Sequence, residues 1–131
     1  MYLLDSDVII DFLRNKEPGY SLVSEILNEK LYISVISWIE ILYGIKKVKA
    51  SPKRSKQFTN FLMDLDISVI PINTEIGAAF VELRIRLEDK GSKLADFDLL
   101  IASSAKVYNF VLVTKNIKHF ERAGIKIFKG G

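Results

Sequence analysis

The feature that most constrains this chain is the way it begins. Tyr2, Leu3 and Leu4 form an apolar run that stops abruptly at Asp5-Ser6-Asp7. A second apolar run over residues 8–13 follows, with one acid, Asp11, inside it and Arg14 after it. An unbroken apolar run that ends in a polar turn reads as a buried strand, and Ser or Asp before an apolar-periodic stretch reads as a helix start. The expectation is therefore a short buried strand ending at Asp5, a tight turn, and a helix capped by Ser6 or Asp7. A carboxylate at the carboxyl end of a central strand points into the crevice where open α/β sheets bind ligands.

The rest of the chain repeats this rhythm. Residues 31–35, 67–72, 110–113 and 125–128 are further strand candidates, with Pro71 marking the third as an edge strand or a strand end. Helical periodicity fills the gaps. Residues 20–28 form one helix. Another starts at Ser37, where Ser37 and Glu40 match a capping box and Ile41, Leu42 and Ile45 face inward. Ala50-Ser51-Pro52 breaks that helix or forms its outer turn, and residues 56–65 resume. A long helix capped by Asn73 or Thr74 turns Ile76, Phe80, Leu83 and Leu87 inward, and Gly77 on that face suggests close helix packing. Asp96 caps a helix with Asp98 in its first turn, and residues 118–122 make a short helical turn before Gly124. Hydrophobic strands alternating with helices indicate a parallel sheet covered on both faces, an α/β fold of three layers.

With 131 residues, 49% of them hydrophobic and including 8 Phe and 5 Tyr, one core in a single domain over 1–131 is expected. No apolar run approaches the roughly 20 residues that span a bilayer. The start has no basic leader and no small-residue cleavage site, so no signal peptide is expected. The absence of cysteine excludes disulfides, thiolate metal sites and a cysteine nucleophile, and fits a cytoplasmic protein. A formal charge of +3 permits a polyanionic partner without demanding one. Between residues 46 and 56, Lys46, Lys47, Lys49, Lys53, Arg54 and Lys56 occur without an acid. That run is either a solvated helix end and loop or a face for phosphate backbone or an acidic partner.

Asp5, Glu40, Asp96 and Asp98 share a local setting, each at a strand end or in the first turn of a helix. Crossover connections gather such helix starts at one edge of a parallel sheet. Carboxylates that converge repel unless they share a proton or hold a cation. Oxygen-only ligands suit magnesium or manganese rather than zinc. Hydrolysis of a phosphodiester by metal-activated water uses these parts best. Each acid also has a purely structural reading: Glu40 boxed with Ser37, Asp96 as a cap, Asp5 in a turn with Asp7. Composition and spacing leave both readings open.

Four stretches in order carry a resemblance. LLDSDVIIDFL, ISVISWIEILYGIKK, LADFDLLIASSA and FVLVTKNIKHF resemble the motifs of the PIN-domain ribonucleases, in particular the VapC-type toxins of toxin–antitoxin pairs, over nearly the whole chain. The resemblance implies a five-stranded parallel sheet of order 3-2-1-4-5 between helices. It implies Asp5, Glu40 and Asp98 as metal ligands, with Asp96 a supporting acid or second-metal ligand. Ser6 and Thr114 would orient carboxylates or water, and Asn116 would hold the fourth corner, where many relatives carry Asp. Asp7 stands where Asn is frequent. Cleavage of RNA (transfer or ribosomal) with Mg²⁺ or Mn²⁺ follows, as do a homodimer and an antitoxin that covers the site. Lys46, Lys47, Lys49, Lys53, Arg54, Lys56 and Lys115 are the candidates for phosphate contacts.

The alternatives are a DNA-directed nuclease, a phosphatase-like enzyme, and a non-catalytic domain whose acidic pocket receives a basic peptide. His119, with no acid evident beside it, reads as a surface or packing residue rather than a general base.

Overall fold

The computed structural model describes residues 1–49 and 51–131; Ala50, part of the expected break, lies outside the described residues. The first strand, β1 (Tyr2–Leu4), runs into α1 (Ser6–Leu13), and α2 (Gly19–Ser24) follows. Next come β2 (Leu31–Ser34), α3 (Val35–Lys46), α4 (Ser51–Asp64) and β3 (Ser68–Ile70). The chain continues through α5 (Thr74–Asp89), α6 (Asp96–Tyr108), β4 (Val111–Val113) and α7 (Ile117–Glu121). The strands pair in parallel in the order β3-β2-β1-β4.

The sheet has four strands, not the five expected. Residues 125–128 do lie beside β4, but they contribute a single parallel bridge, Leu112 to Ile127. Two hydrogen bonds hold it: Leu112 N–H donates to Lys126 C=O at 2.8 Å and Phe128 N–H to Leu112 C=O at 2.9 Å. The segment enters from a turn at Gly124, whose φ of +73° favours glycine, and passes into Lys129-Gly130-Gly131 before the ladder can lengthen.

Side chains alternate across the sheet, and each face carries its own core. Leu3 and Leu112 pack with Leu83, Leu87, Leu99, Ala102 and Phe120 of α5, α6 and α7. Leu4, Ile33 and Val113 pack with Val8, Ile9, Val23, Phe58 and Phe61 of α1, α2 and α4. β1 is thus buried on both sides, which explains its unbroken apolar run. α3 serves both cores, with Ile36 in one and Ile41 in the other. Among the described residues no helix is long and apolar enough to cross a membrane.

Several local readings change. The cap of α1 is Asp5 itself, not Ser6 or Asp7. The cap of α3 is Ser34, whose hydroxyl accepts from Ile36 N–H at 3.1 Å; the Ser37–Glu40 box does not form, and the Ser37 hydroxyl is buried without a partner. Ala95 caps α6, so Asp96 is its first helical residue. Pro52 does not stop a helix but sits in the first turn of α4, where its missing N–H costs nothing. A Cβ built on Gly77 would meet nothing within 4 Å, so the expected close packing there is absent. Asn73 caps α5 as expected.

Candidate active site

The carboxyl ends of β1 and β4 lie side by side, and this brings Asp5 to Thr114. The backbone pairing that sets the register, Asp5 N–H to Val113 C=O at 2.9 Å, leaves the two side chains facing each other. Asp5 is 4% exposed and Thr114 fully buried. One Asp5 oxygen, Oδ1, accepts from Ser6 N–H at 2.8 Å; the other, Oδ2, accepts from the Thr114 hydroxyl at 2.8 Å. Thr114 Oγ1 also lies 3.4 Å from Asp7 Oδ2, and accepts from Asn116 N–H at 3.1 Å, which folds the loop after β4 back on itself. Asp7 Oδ2 accepts from Lys115 N–H at 3.0 Å, while Asp7 Oδ1 is buried with no hydrogen-bond partner.

Glu40 reaches the same place from the second turn of α3. Because Ser34, two positions before Ile36, supplies the cap, Glu40 is not used up in capping; its Oε1 accepts from the Ser6 hydroxyl at 3.3 Å. Asp98, half-buried in the first turn of α6, bears on both Asp5 and Glu40 electrostatically. Burial pushes the Asp5 carboxyl up to about 7; Asp7 adds to the rise, the Thr114 and Ser6 bonds oppose it, and Asp98 adds a little more. Asp7 is raised chiefly by burial, against its bonds to Lys115 and Thr114. Glu40 is raised by desolvation of its carboxyl, with Asp98 and Asp7 contributing against the Ser6 bond. Asp98 is raised by burial and pulled back by the charge of His119 on α7. His119 therefore has an acid near it after all.

The other expected residues fall elsewhere. Asp96 is exposed and pairs with Arg84 of α5 at 3.6 Å. Asn116 caps α7 by position only, without a side-chain bond. Lys115 is engaged: its ammonium lies 3.2 Å from Asp11, a buried acid that the sequence reading passed over although it sat in an apolar helical run. Lys46, Lys47, Lys49, Lys53, Arg54 and Lys56 are all exposed around the end of α3 and the start of α4. Lys47, Lys53 and Arg54, with Arg14, line a groove of about 660 Å³ whose apolar lining includes Ile10, Leu13, Ile41, Ile45 and Val48; Glu40 belongs to the same lining.

Among the described residues no group of three or more Asp, Glu or His side chains forms a ready-made metal site. The donor chemistry nevertheless suits a hard divalent cation. The facing groups offer carboxylate oxygens, Asp7 Oδ1 is buried and unpartnered, and Asp7 and Asp98 raise both Asp5 and Glu40 in a partly buried crevice. A shared proton or a cation relieves such repulsion, and oxygen donors favour magnesium- or manganese-like ions where the partner is a cation.

A family model described as PIN domain matches residues 2–126. This chain belongs to the PIN-domain family. Within that family it stands with the VapC ribonucleases. It is 35% identical over 124 residues to the ribonuclease VapC2 of Rickettsia felis, covering 93% of this chain and 91% of that protein. It is 28% identical over 127 residues to the tRNA(fMet)-specific endonuclease VapC of Salmonella typhimurium, covering 96% and 95%. The crystal structure of VapBC2 from Rickettsia felis bound to a DNA fragment from their promoter contains a chain that superposes with a TM-score of 0.85 at 29% identity, covering 98% of this PIN domain and 97% of that chain.

Proposed function

We propose that this PIN domain is a divalent-metal-dependent endoribonuclease, the toxin of a toxin–antitoxin pair, with Asp5, Glu40 and Asp98 as its metal-holding residues. The observation that carries the reading is the Asp5 carboxylate: buried at the central strand end, bonded on both oxygens, and raised to about 7 by burial and neighbouring acids. A carboxylate needed only as a helix cap gains nothing from two acidic neighbours.

A bound Mg²⁺ or Mn²⁺ would supply a water of lowered pKa and neutralise charge developing on the phosphoryl oxygens. The rest belongs to the chain. Asp5 is fixed by Ser6 N–H on one carboxylate oxygen and the Thr114 hydroxyl on the other, which leaves each oxygen a further lone pair for a cation. Glu40 is steered toward Asp5 by Ser6, which bonds both through its amide and its hydroxyl. Asp7 stands behind Asp5, tied to the loop after β4. The acidic crevice repels RNA until its charge is offset, and Lys47, Lys53, Arg54 and Arg14 along the adjoining groove favour a phosphate backbone there. Asp96, turned to Arg84, is a weak candidate for the ligand set.

The relatives' names favour RNA, and transfer RNA as the first class to test. The likeness to VapBC2 supports an antitoxin partner, and the groove beside Glu40, apolar with a basic lining, is where its chain would cover the site. A homodimer is part of the same family reading. The test is to map cleavage ends on transfer RNA, ribosomal RNA and single-stranded DNA, with and without Mg²⁺ or Mn²⁺. Ion-dependent cuts at defined RNA positions are expected. Cleavage of DNA alone, or of RNA with equal efficiency in EDTA, overturns the proposal.

A further inference from the structure

Asp11 is the acid that the crevice does not use. It is 7% exposed in α1, four residues beyond Asp7 and so on the same helix face. Its Oδ2 accepts from Gly19 N–H at 3.0 Å and its Oδ1 from the Lys115 ammonium at 3.2 Å. That face of α1 therefore grips Lys115 twice, the side chain through Asp11 and the backbone N–H through Asp7 Oδ2 at 3.0 Å. The preceding residue, Thr114, donates to Asp5. The far side of Asp11 is just as closely fitted: a Cβ on Gly19 would stand 2.4 Å from Asp11 Cβ and 2.9 Å from its Oδ2, so the amide reaches the carboxylate only because residue 19 is glycine.

Taken together, Asp11 anchors the ammonium, Lys115 anchors the start of the β4–α7 loop, and that loop gives Asp5 Oδ2 and Asp7 Oδ2 their hydrogen bonds, Asp5 Oδ1 being held by Ser6 N–H of α1. The Lys115 charge is drawn to Asp11 rather than left free for a phosphate. We infer that Asp11 and Lys115 are a positioning pair that locks the β4–α7 loop onto α1 and so orients the Asp5 and Asp7 carboxylates toward a divalent ion, an inference that rests on the nuclease reading above. The competing reading makes Asp11 only a tie between α1 and α2 through Gly19.

Lys115→Met separates the two, because it removes the ammonium and keeps the stem, the backbone N–H and the Asp11–Gly19 bond. Asp11→Asn is the companion variant, keeping an acceptor for Gly19 and losing the charge. Two readouts are needed: Mn²⁺ binding to the full chain without RNA, followed by electron paramagnetic resonance, and kcat and KM on a cleaved RNA. Lys115→Met should weaken Mn²⁺ binding and lower kcat by about 10-fold or more, the usual effect of losing an outer-shell partner. KM should stay within about twofold. Asp11→Asn should match it, the double variant should be no worse than the poorer single, and Lys115→Arg should restore most of the loss.

Unchanged Mn²⁺ binding and kcat in Lys115→Met, with a raised KM and a shallower salt dependence, would make Lys115 an RNA contact and overturn the pair. Loss of melting temperature in Asp11→Asn with both readouts intact in Lys115→Met would leave only the structural tie. Should Asp11→Asn fail to fold, Lys115→Met decides the matter, since its side chain is partly exposed. If the unsubstituted chain neither binds Mn²⁺ nor cleaves RNA, the nuclease reading falls and takes the pair's role with it; the other results overturn the pair alone.

Discussion

Asp5-Ser6-Asp7 and Asp96-Phe97-Asp98 are the same pattern, an acid on each side of one residue where a helix begins, and they meet different ends. In the first, both carboxylates are drawn inward, Asp5 onto Thr114 and Asp7 onto Lys115. In the second, Asp98 is half-buried and bears electrostatically on Asp5 and Glu40, while Asp96 pairs with Arg84 at the surface. The first triplet starts one position before its helix, at the end of the central strand, so Asp5 is fixed by sheet geometry before α1 begins. The second lies wholly inside α6, behind an Ala95 cap. Residues two apart on a helix are separated by about 200° and cannot share a face. An acid pair at a helix start thus has no fixed meaning; the element that precedes the helix decides it.

The largest effect expected from breaking this contrast is at Asp5. Asp5→Asn keeps the volume and can keep the bond to Ser6 N–H, so circular dichroism should be unchanged, while metal-dependent RNA cleavage should fall by at least about 100-fold, beyond the usual loss of an outer-shell group. Retained cleavage, or loss explained by unfolding, would remove Asp5 from the chemistry. Asp98→Asn should come next, lowering cleavage by about 10- to 100-fold. A smaller loss than at Asp96 would reverse the comparison.

The pH dependence of stability sharpens it further. The Asp5 carboxyl rises from 3.8 to about 7 on folding, so the folded chain holds a proton that the unfolded chain has released. Its contribution to stability is fully present below the unfolded value and is lost as pH rises through about 7. In metal-free buffer the melting temperature should therefore fall across that window, and Asp5→Asn should flatten the fall by about 5 °C or more. Identical pH profiles for the two proteins would contradict the burial and repulsion assigned to Asp5. The smallest effect is expected at Asp96. Asp96→Asn breaks only an exposed ion pair, so stability should shift by less than about 1 kcal/mol and cleavage should change little. A large loss of cleavage there would bring Asp96 back into the ligand set.

Much of the plan was legible along the chain. The apolar run before Asp5, the Asn73 cap and the inward stripe of α5 are local signals, and each survived folding. Local signals also misled. Ser37 and Glu40 stand at capping-box spacing, yet Ser34 at the end of β2 takes the cap because the strand delivers it to the helix start first. Residues 125–128 look like a strand but make one bridge, since a strand is completed by its neighbour's register and not by its own composition. The role of Asp11 was not foreseen for a related reason, nor was the acid beside His119, itself an exposed residue of α7 as its surface reading expects. Their partners, Lys115 and Asp98, lie far away in the chain and have no spacing signature.

By itself the sequence determined which segments are buried, the alternation of strand and helix, and the family, because apolar periodicity and motif order are properties of neighbours along the chain. Only the tertiary structure decided which acids share a crevice, that Asp96 is turned away from it, and that Lys115 is held by Asp11. Those outcomes depend on the parallel pairing of β1 with β4 and the packing of α3, α6 and α7 around that edge. Charges interact through space, across contacts that no short stretch of residues encodes.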